Sequence, residues 1–135
     1  MDGDLDSIMA GLCCGEVCTV GWEILKHRVD YFFSCPDYVA ADGMRVLGNP
    51  LAGDERIISG ESGAVTSGLV YNLMNDPKLE SFRKELGLGQ DSVVLCLSTE
   101  GDTDKETIGI LYGTDGIVTK IQNVMCRKED APCRL

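Results

Sequence analysis

The sequence predicts an α/β fold of three layers, a mostly parallel sheet flanked by helices. Three observations carry that prediction. Strand-like and helical patterns alternate along the chain as far as Asp104, the order that right-handed parallel crossovers require. The helical stretches place apolar residues on one face at the helical period. The run Val93-Val94-Leu95-Cys96-Leu97 is apolar throughout, as befits a strand buried on both faces of a parallel sheet.

The elements follow in order. Asp2 to Asp6 is a short acidic lead, frayed by its composition. Asp6 or Ser7 can cap the turn that begins Ile8-Met9-Ala10-Gly11-Leu12, and Gly11 and Gly15 bracket a loop of small residues. Such a loop is either a tight turn or backbone lining a pocket. Thr19 to Val29 predicts a helix with Thr19 at its N-cap, an apolar stripe of Val20, Ile24, Leu25 and Val29, and Lys26, His27 and Arg28 at the end where the dipole favours cations. Trp22 reads as packing surface. Tyr31 to Cys35 is aromatic and short, hence a strand. Pro36-Asp37 opens a helix to about Leu47 that buries Val39, Ala40, Met44 and Leu47, and Gly48-Asn49-Pro50 ends it.

Arg56-Ile57-Ile58 predicts a brief strand. The segment Ser59-Gly60-Glu61-Ser62-Gly63-Ala64 leads from it into a helix to about Met74, whose small residues keep one face slim. Glu61 is either a carboxylate suited to a helix start or one directed into a cleft. Asp76-Pro77 opens an amphipathic helix through Leu86, closed by Gly87 and Gly89. Then comes the apolar strand and, without a spacer, Ser98-Thr99-Glu100-Gly101-Asp102-Thr103-Asp104. Beyond it, Thr107 to Tyr112 reads as a strand, Gly113 to Gly116 as a turn, Ile117 to Met125 as a strand or short helix, and Arg127 onward as a loose polar tail.

The polar run after the strand is the candidate site. Ligands of open α/β sheets sit at the carboxyl ends of strands. A neutral serine hydroxyl there can donate to or accept from a heteroaromatic nitrogen, and Gly101 would let the backbone turn tightly or approach a ligand closely. The residues alone favour a plain capped turn and leave the ligand site open.

Composition narrows the function. The 135 residues suit one domain. The net charge of −10 disfavours binding to a phosphate backbone. No apolar run spans a bilayer, so no membrane partner is expected. No basic-then-apolar leader opens the chain, which points to the cytoplasm. Seven cysteines at irregular spacing then read as reduced thiols. No paired Cys-x-x-Cys motif is present and His27 is the sole histidine, so neither a metal site nor a Ser-His-Asp site is expected.

Three segments together carry a resemblance. Leu97 to Asp104 resembles the serine-containing turn of fold-type II pyridoxal-phosphate enzymes such as the tryptophan synthase β chain. Ser59 to Ala64 resembles their Glu-x-x-Gly/Ala helix start, and Ser7 to Glu16 their small-residue active-site loop. The three in order are most similar to the diaminopropionate ammonia-lyases within that family. The resemblance implies a partial fold-type II catalytic domain over residues 1–104, the C-terminal part of such an enzyme, followed by a divergent tail over 105–135 that inherits nothing from it.

By the same resemblance Ser98 would hydrogen-bond the pyridine nitrogen of pyridoxal 5'-phosphate. Thr99, Gly101 and Asp102 would shape its turn, and Glu61, Ala10 and Gly11 would line the cofactor's flank. The implied reaction is α,β-elimination of 2,3-diaminopropionate, an amino-acid substrate, to pyruvate and ammonia. The family's Schiff-base lysine and its glycine-rich phosphate loop have no counterpart in this sequence. No catalytic residue is therefore assigned to this chain, which would be inactive without the N-terminal part. The alternative is a non-catalytic α/β binding or regulatory module on the same scaffold. Strands lacking their neighbours would leave an open sheet edge, so a homo-oligomer is expected.

Overall fold

The computed structural model of the chain describes residues 6–101, residue 103 and the backbone of a strand at Met125–Arg127. The expectations for Asp102, for 107–124 and for the tail beyond 127 lie outside the described residues.

The centre is a pair of helices. Helix α1 spans Thr19–Arg28, strand β1 Tyr31–Phe33, helix α2 Asp37–Gly48, helix α3 Glu61–Asn75, helix α4 Glu80–Glu85 and strand β2 Met125–Arg127. Short 3₁₀ turns at Ala10–Leu12 and Pro77–Leu79 precede α1 and α4. Helices α2 and α3 pack face to face and provide most of the buried residues. Their crossing is close because both contribute glycines. A Cβ on Gly68 would overlap the carbonyl oxygen of Val39, and one on Gly43 the carbonyl oxygen of Ala64. Val39, Ala40, Met44, Ala64 and Val65 are buried in the clusters beside this contact. Beside the apolar seam, Asp42 joins the two helices by accepting from Arg45 Nη1 at 3.1 Å and from Asn72 Nδ2 at 3.3 Å.

Most helix boundaries follow the predicted signals. Asp37 stands in the first turn of α2, Gly48 is its last residue and Pro50 lies just beyond. Asp76 accepts from the Lys78 amide at 2.8 Å, and Pro77 stands at the first position of the turn that follows. Gly87, at φ +67°, closes α4 in the left-handed region that favours glycine. Helix α1 departs in two respects. It exists as predicted, with Cys18 rather than Thr19 at the cap, but Val20, Ile24 and Leu25 are exposed. Only Val29 of the predicted stripe is half-buried. Trp22 packs against Phe32 of β1, ring centroids 6.0 Å apart.

The predicted sheet is where the structure differs most. The strand Tyr31–Phe33 forms, yet its partner is β2 in an antiparallel two-stranded ladder, with Tyr31 opposite Arg127 and Phe33 opposite Met125. Neither 56–58 nor 93–97 is a strand among the described residues. A strand exists only against a partner that accepts from its N–H groups and donates to its carbonyls. The amide of Ile57 donates instead to Leu47 O at 3.0 Å, which ties that segment to the end of α2. Just beyond the two segments, the Gly60 amide donates to Glu100 O at 3.1 Å, and one bond is not a ladder.

The 93–97 run nevertheless keeps the alternation of an extended chain. Val93, Leu95 and Leu97 are 98%, 85% and 71% exposed, whereas Val94 is 43% exposed and Cys96 is half-buried. The residues expected inside a two-sided sheet lie on the surface, with no adjacent strand over them among the described residues.

Candidate functional site

Three segments meet at the start of α3. The first arrives because Asp37, in the first turn of α2, accepts from Ser7 Oγ at 2.6 Å and from the Ile8 amide at 3.3 Å. Met9 then enters the core beside Val39, Ala40 and Val65. That docking places the Ala10–Leu12 turn so that the Gly11 amide donates to Ser62 Oγ at 3.2 Å. The second segment is the helix start itself, Ser59 to Gly63. The third is the turn from Ser98 to Gly101.

Glu100 joins the last two. Its Oε2 accepts from the amides of Ser62 at 2.6 Å and Gly63 at 3.3 Å. These are amides of the first turn of α3, which has no side-chain cap from its own N-cap residue, Gly60. A carboxylate satisfies them well and suits the helix dipole. Glu100 thus caps a helix thirty-nine residues upstream of it in the chain, Glu61 being the first helical position.

Ser98 sits on the same turn. Its Oγ is 2.7 Å from Ser59 Oγ, and Ser59 is 0% exposed while Ser98 is exposed. Gly63 makes room for the pair. A Cβ there would lie 2.7 Å from Ser59 Oγ and 2.8 Å from Ser98 Oγ. Gly60 is needed too, since its Cβ would stand 2.7 Å from Gly101 O.

The other predicted site residues fare differently. Glu61 is 5% exposed in the first turn of α3, and none of the hydrogen bonds among the described residues ends on its carboxylate. Gly11 reaches the cluster through its amide. Ala10 and Thr99 are exposed and contribute no side-chain hydrogen bond to it. Gly101 has no positive φ and open space where a Cβ would go, so its conformational freedom is not what the turn uses. Asp102 lies outside the described residues. The residues that sequence reasoning passed over are Ser59, Ser62 and Glu100. All three stood inside the quoted segments, but spacing along a chain does not reveal that position 100 folds back onto position 62.

Burial pushes the Cys35 thiol above its ordinary range. This thiol lines a groove of about 380 Å³ with Met9, Leu12, Phe33, Val65 and Leu69, which does not include Ser98. Among the described residues no group of three His, Cys, Asp or Glu side chains is placed to hold a metal ion, and no helix is long and apolar enough to cross a membrane.

Comparison with known proteins finds relatives in sequence and in fold. No protein-family model matches the chain. Diaminopropionate ammonia-lyase of Escherichia coli K12 is 56% identical over 102 residues, which is 76% of this chain and 26% of that protein. The Salmonella typhimurium LT2 enzyme of the same name is 44% identical over 105 residues, 77% of this chain and 26% of its own length. Among solved structures, Escherichia coli diaminopropionate ammonia lyase in complex with an aminoacrylate–PLP azomethine reaction intermediate superposes with a TM-score of 0.75 at 51% identity, covering 79% of this chain and 28% of that one. Its apo form gives a TM-score of 0.67 at 49% identity, covering 70% of this chain and 27% of that one. The chain spans about a quarter of the length of the curated relatives it matches. In sequence and in fold, this chain is homologous to that quarter of a diaminopropionate ammonia-lyase.

Proposed function

We propose that this chain is the C-terminal portion of a pyridoxal-phosphate-dependent ammonia-lyase. Residues 1–104 belong to its catalytic domain and 105–135 form a divergent tail. The complete enzyme carries out α,β-elimination of 2,3-diaminopropionate to pyruvate and ammonia. The observation that supports this best is the meeting of Gly11, Ser59–Gly63 and Ser98–Glu100 at one helix start, although they are far apart in sequence.

The residues present fit one end of the coenzyme. Ser98 offers an exposed neutral hydroxyl whose one short bond is to Ser59, leaving it able to meet a ring nitrogen. They do not fit the phosphate end. Helix starts commonly bind phosphate, but two first-turn amides of α3, those of Ser62 and Gly63, already donate to Glu100. In this reading the phosphate and the covalent anchor are held by the N-terminal part of the enzyme.

When bound, the coenzyme supplies the electron sink for loss of the α proton and the β-amino group. Ser98 would hold the ring nitrogen by a hydrogen bond that does not force a proton onto it. Thr99 would shape the turn, and Ala10, Gly11 and Glu61 would line the flank, while the role the resemblance implies for Asp102 falls outside the described residues. None of these is a general base for the α proton. Lys26 and Lys84 are engaged with Glu23 at 2.6 Å and Glu80 at 2.7 Å, and Lys78 is exposed. That placement of the described lysines also suits the second reading, a non-catalytic binding or regulatory module.

The test is reductive labelling. Pyridoxal phosphate and borohydride, added to the full chain, should label no single lysine. Adding the lysine-bearing N-terminal part of the Escherichia coli enzyme should restore ammonia release. A stoichiometric label at one lysine of the chain alone defeats the assignment of the anchor to the other part. A folded mixture that releases no ammonia favours the second reading.

A further inference from the structure

Ser59 is the one fully buried hydroxyl at the site, and nothing in the resemblance gives it a role. Its proton has three acceptors within reach: Ser98 Oγ at 2.7 Å, Gly60 O at 3.2 Å and Glu100 O at 3.4 Å. Hydroxyl hydrogen bonds are strongest near the shortest of these distances and poor at the other two. Ser98 is placed differently. It is exposed, so its own proton has solvent or a ligand to go to, and its other acceptor among the described residues is Glu100 O at 3.4 Å. The 2.7 Å bond can run in either direction. If Ser98 donates, the buried Ser59 proton is left with two long contacts, a cost that an enclosed donor carries in full. If Ser59 donates, both hydroxyls are satisfied.

We propose that Ser59 is a positioning residue. It donates to Ser98 and thereby turns the Ser98 proton outward, which makes Ser98 a donor toward an unprotonated ring nitrogen. This deepens the reading given above and rests on it for the identity of the outward acceptor, though not for the direction of the bond. Gly63 is part of the device, because any side chain there would fill the space the two hydroxyls share.

Two measurements separate the claims. In the full chain without coenzyme, proton NMR should show one slowly exchanging hydroxyl proton, coupled to the β protons of Ser59. It should be absent in S59A and exchange faster in S98A. A protected proton assigned to Ser98, or none at all, overturns the proposal whatever the coenzyme does.

The second measurement uses ring-¹⁵N pyridoxal phosphate bound to the chain joined with the lysine-bearing part of the Escherichia coli enzyme. S98A should move the ring-nitrogen signal downfield, toward that of a nitrogen lacking a hydrogen bond. S59A should move it the same way but less far. S59C, which keeps a weak donor in nearly the same volume, should lie between S59A and the unaltered chain. A signal that S98A moves and S59A leaves in place removes Ser59 from the site and leaves the Ser98 reading standing. A signal that S98A leaves in place, or a complex that takes up no coenzyme, defeats the Ser98 reading and this proposal with it.

Discussion

Glu100 holds the site together, and its two hydrogen bonds to α3 amides set what its loss should do. Glu100→Ala removes an acceptor from two first-turn amides. It should cost about 1 kcal/mol, as the loss of an N-cap does, and urea unfolding followed by circular dichroism would measure it. Glu100→Gln keeps an acceptor and loses the charge, so its cost should be smaller and should shrink with added salt.

Tyr38 makes the opposite case at the same scale. Its hydroxyl is buried with no hydrogen-bond partner among the described residues. Burial first, and then the nearby charges of Asp42, Asp76 and Cys35, push its pKa up from an ordinary value of 10 to about 12. A group that holds its proton more tightly when folded contributes stability that is complete below its unfolded pKa. That contribution falls as pH rises through the folded value. Unfolding midpoints of the chain should therefore drop above pH 10 and level off near pH 12, and those of Tyr38→Phe should drop less. At neutral pH the phenylalanine variant should match the parent or exceed it by up to about 1 kcal/mol, since no hydrogen bond is lost.

At the scale of elements, the α2–α3 crossing is the part least tolerant of added volume. Gly68→Ala puts a methyl group where Val39 O already stands, and backbone cannot step aside as a flexible side chain can. It should destabilise the chain by about 3 kcal/mol, the upper end for overpacking. Gly89→Ala, whose added methyl meets nothing, should be nearly neutral. Calorimetry on both variants checks the pair.

The elements also divide by how legible they were. Helices α2, α3 and α4 could be read from Pro36-Asp37, from the slim Gly63–Gly68 face and from Asp76-Pro77, because a helix satisfies its backbone within itself and its caps are local. The segments at 56–58 and 93–97 have strand composition but are not strands here, because a strand depends on a neighbour that local sequence does not specify. The site was half legible for the same reason. Ser98, Glu61 and Gly11 stood out in their own segments. The Ser59 and Glu100 contacts arise only when position 100 returns to position 60.

For the whole molecule, the exposed apolar residues are the dominant feature. Val93, Leu95 and Leu97 lie open on one segment, and Val20, Ile24 and Leu25 on α1. Surfaces of this kind are buried in a partner or drive association. Sedimentation velocity should find the isolated chain self-associated and binding an apolar-surface dye. Leu95→Lys should shift it toward monomer without changing its helical circular dichroism. A monodisperse, dye-silent parent chain would contradict this.

The Glu100 latch has one more effect, on that open segment. Successive side chains of an extended run face opposite ways, so sliding by one position against a neighbour would turn Val93, Leu95 and Leu97 outward and Val94, Cys96 and Ser98 inward, or the reverse. A chain free at both ends could be captured in either phase. Here residue 100 is moored to a rigid helix, so an arriving strand meets a template whose phase is already chosen, and the hydroxyl at position 98 comes to rest on the same side each time.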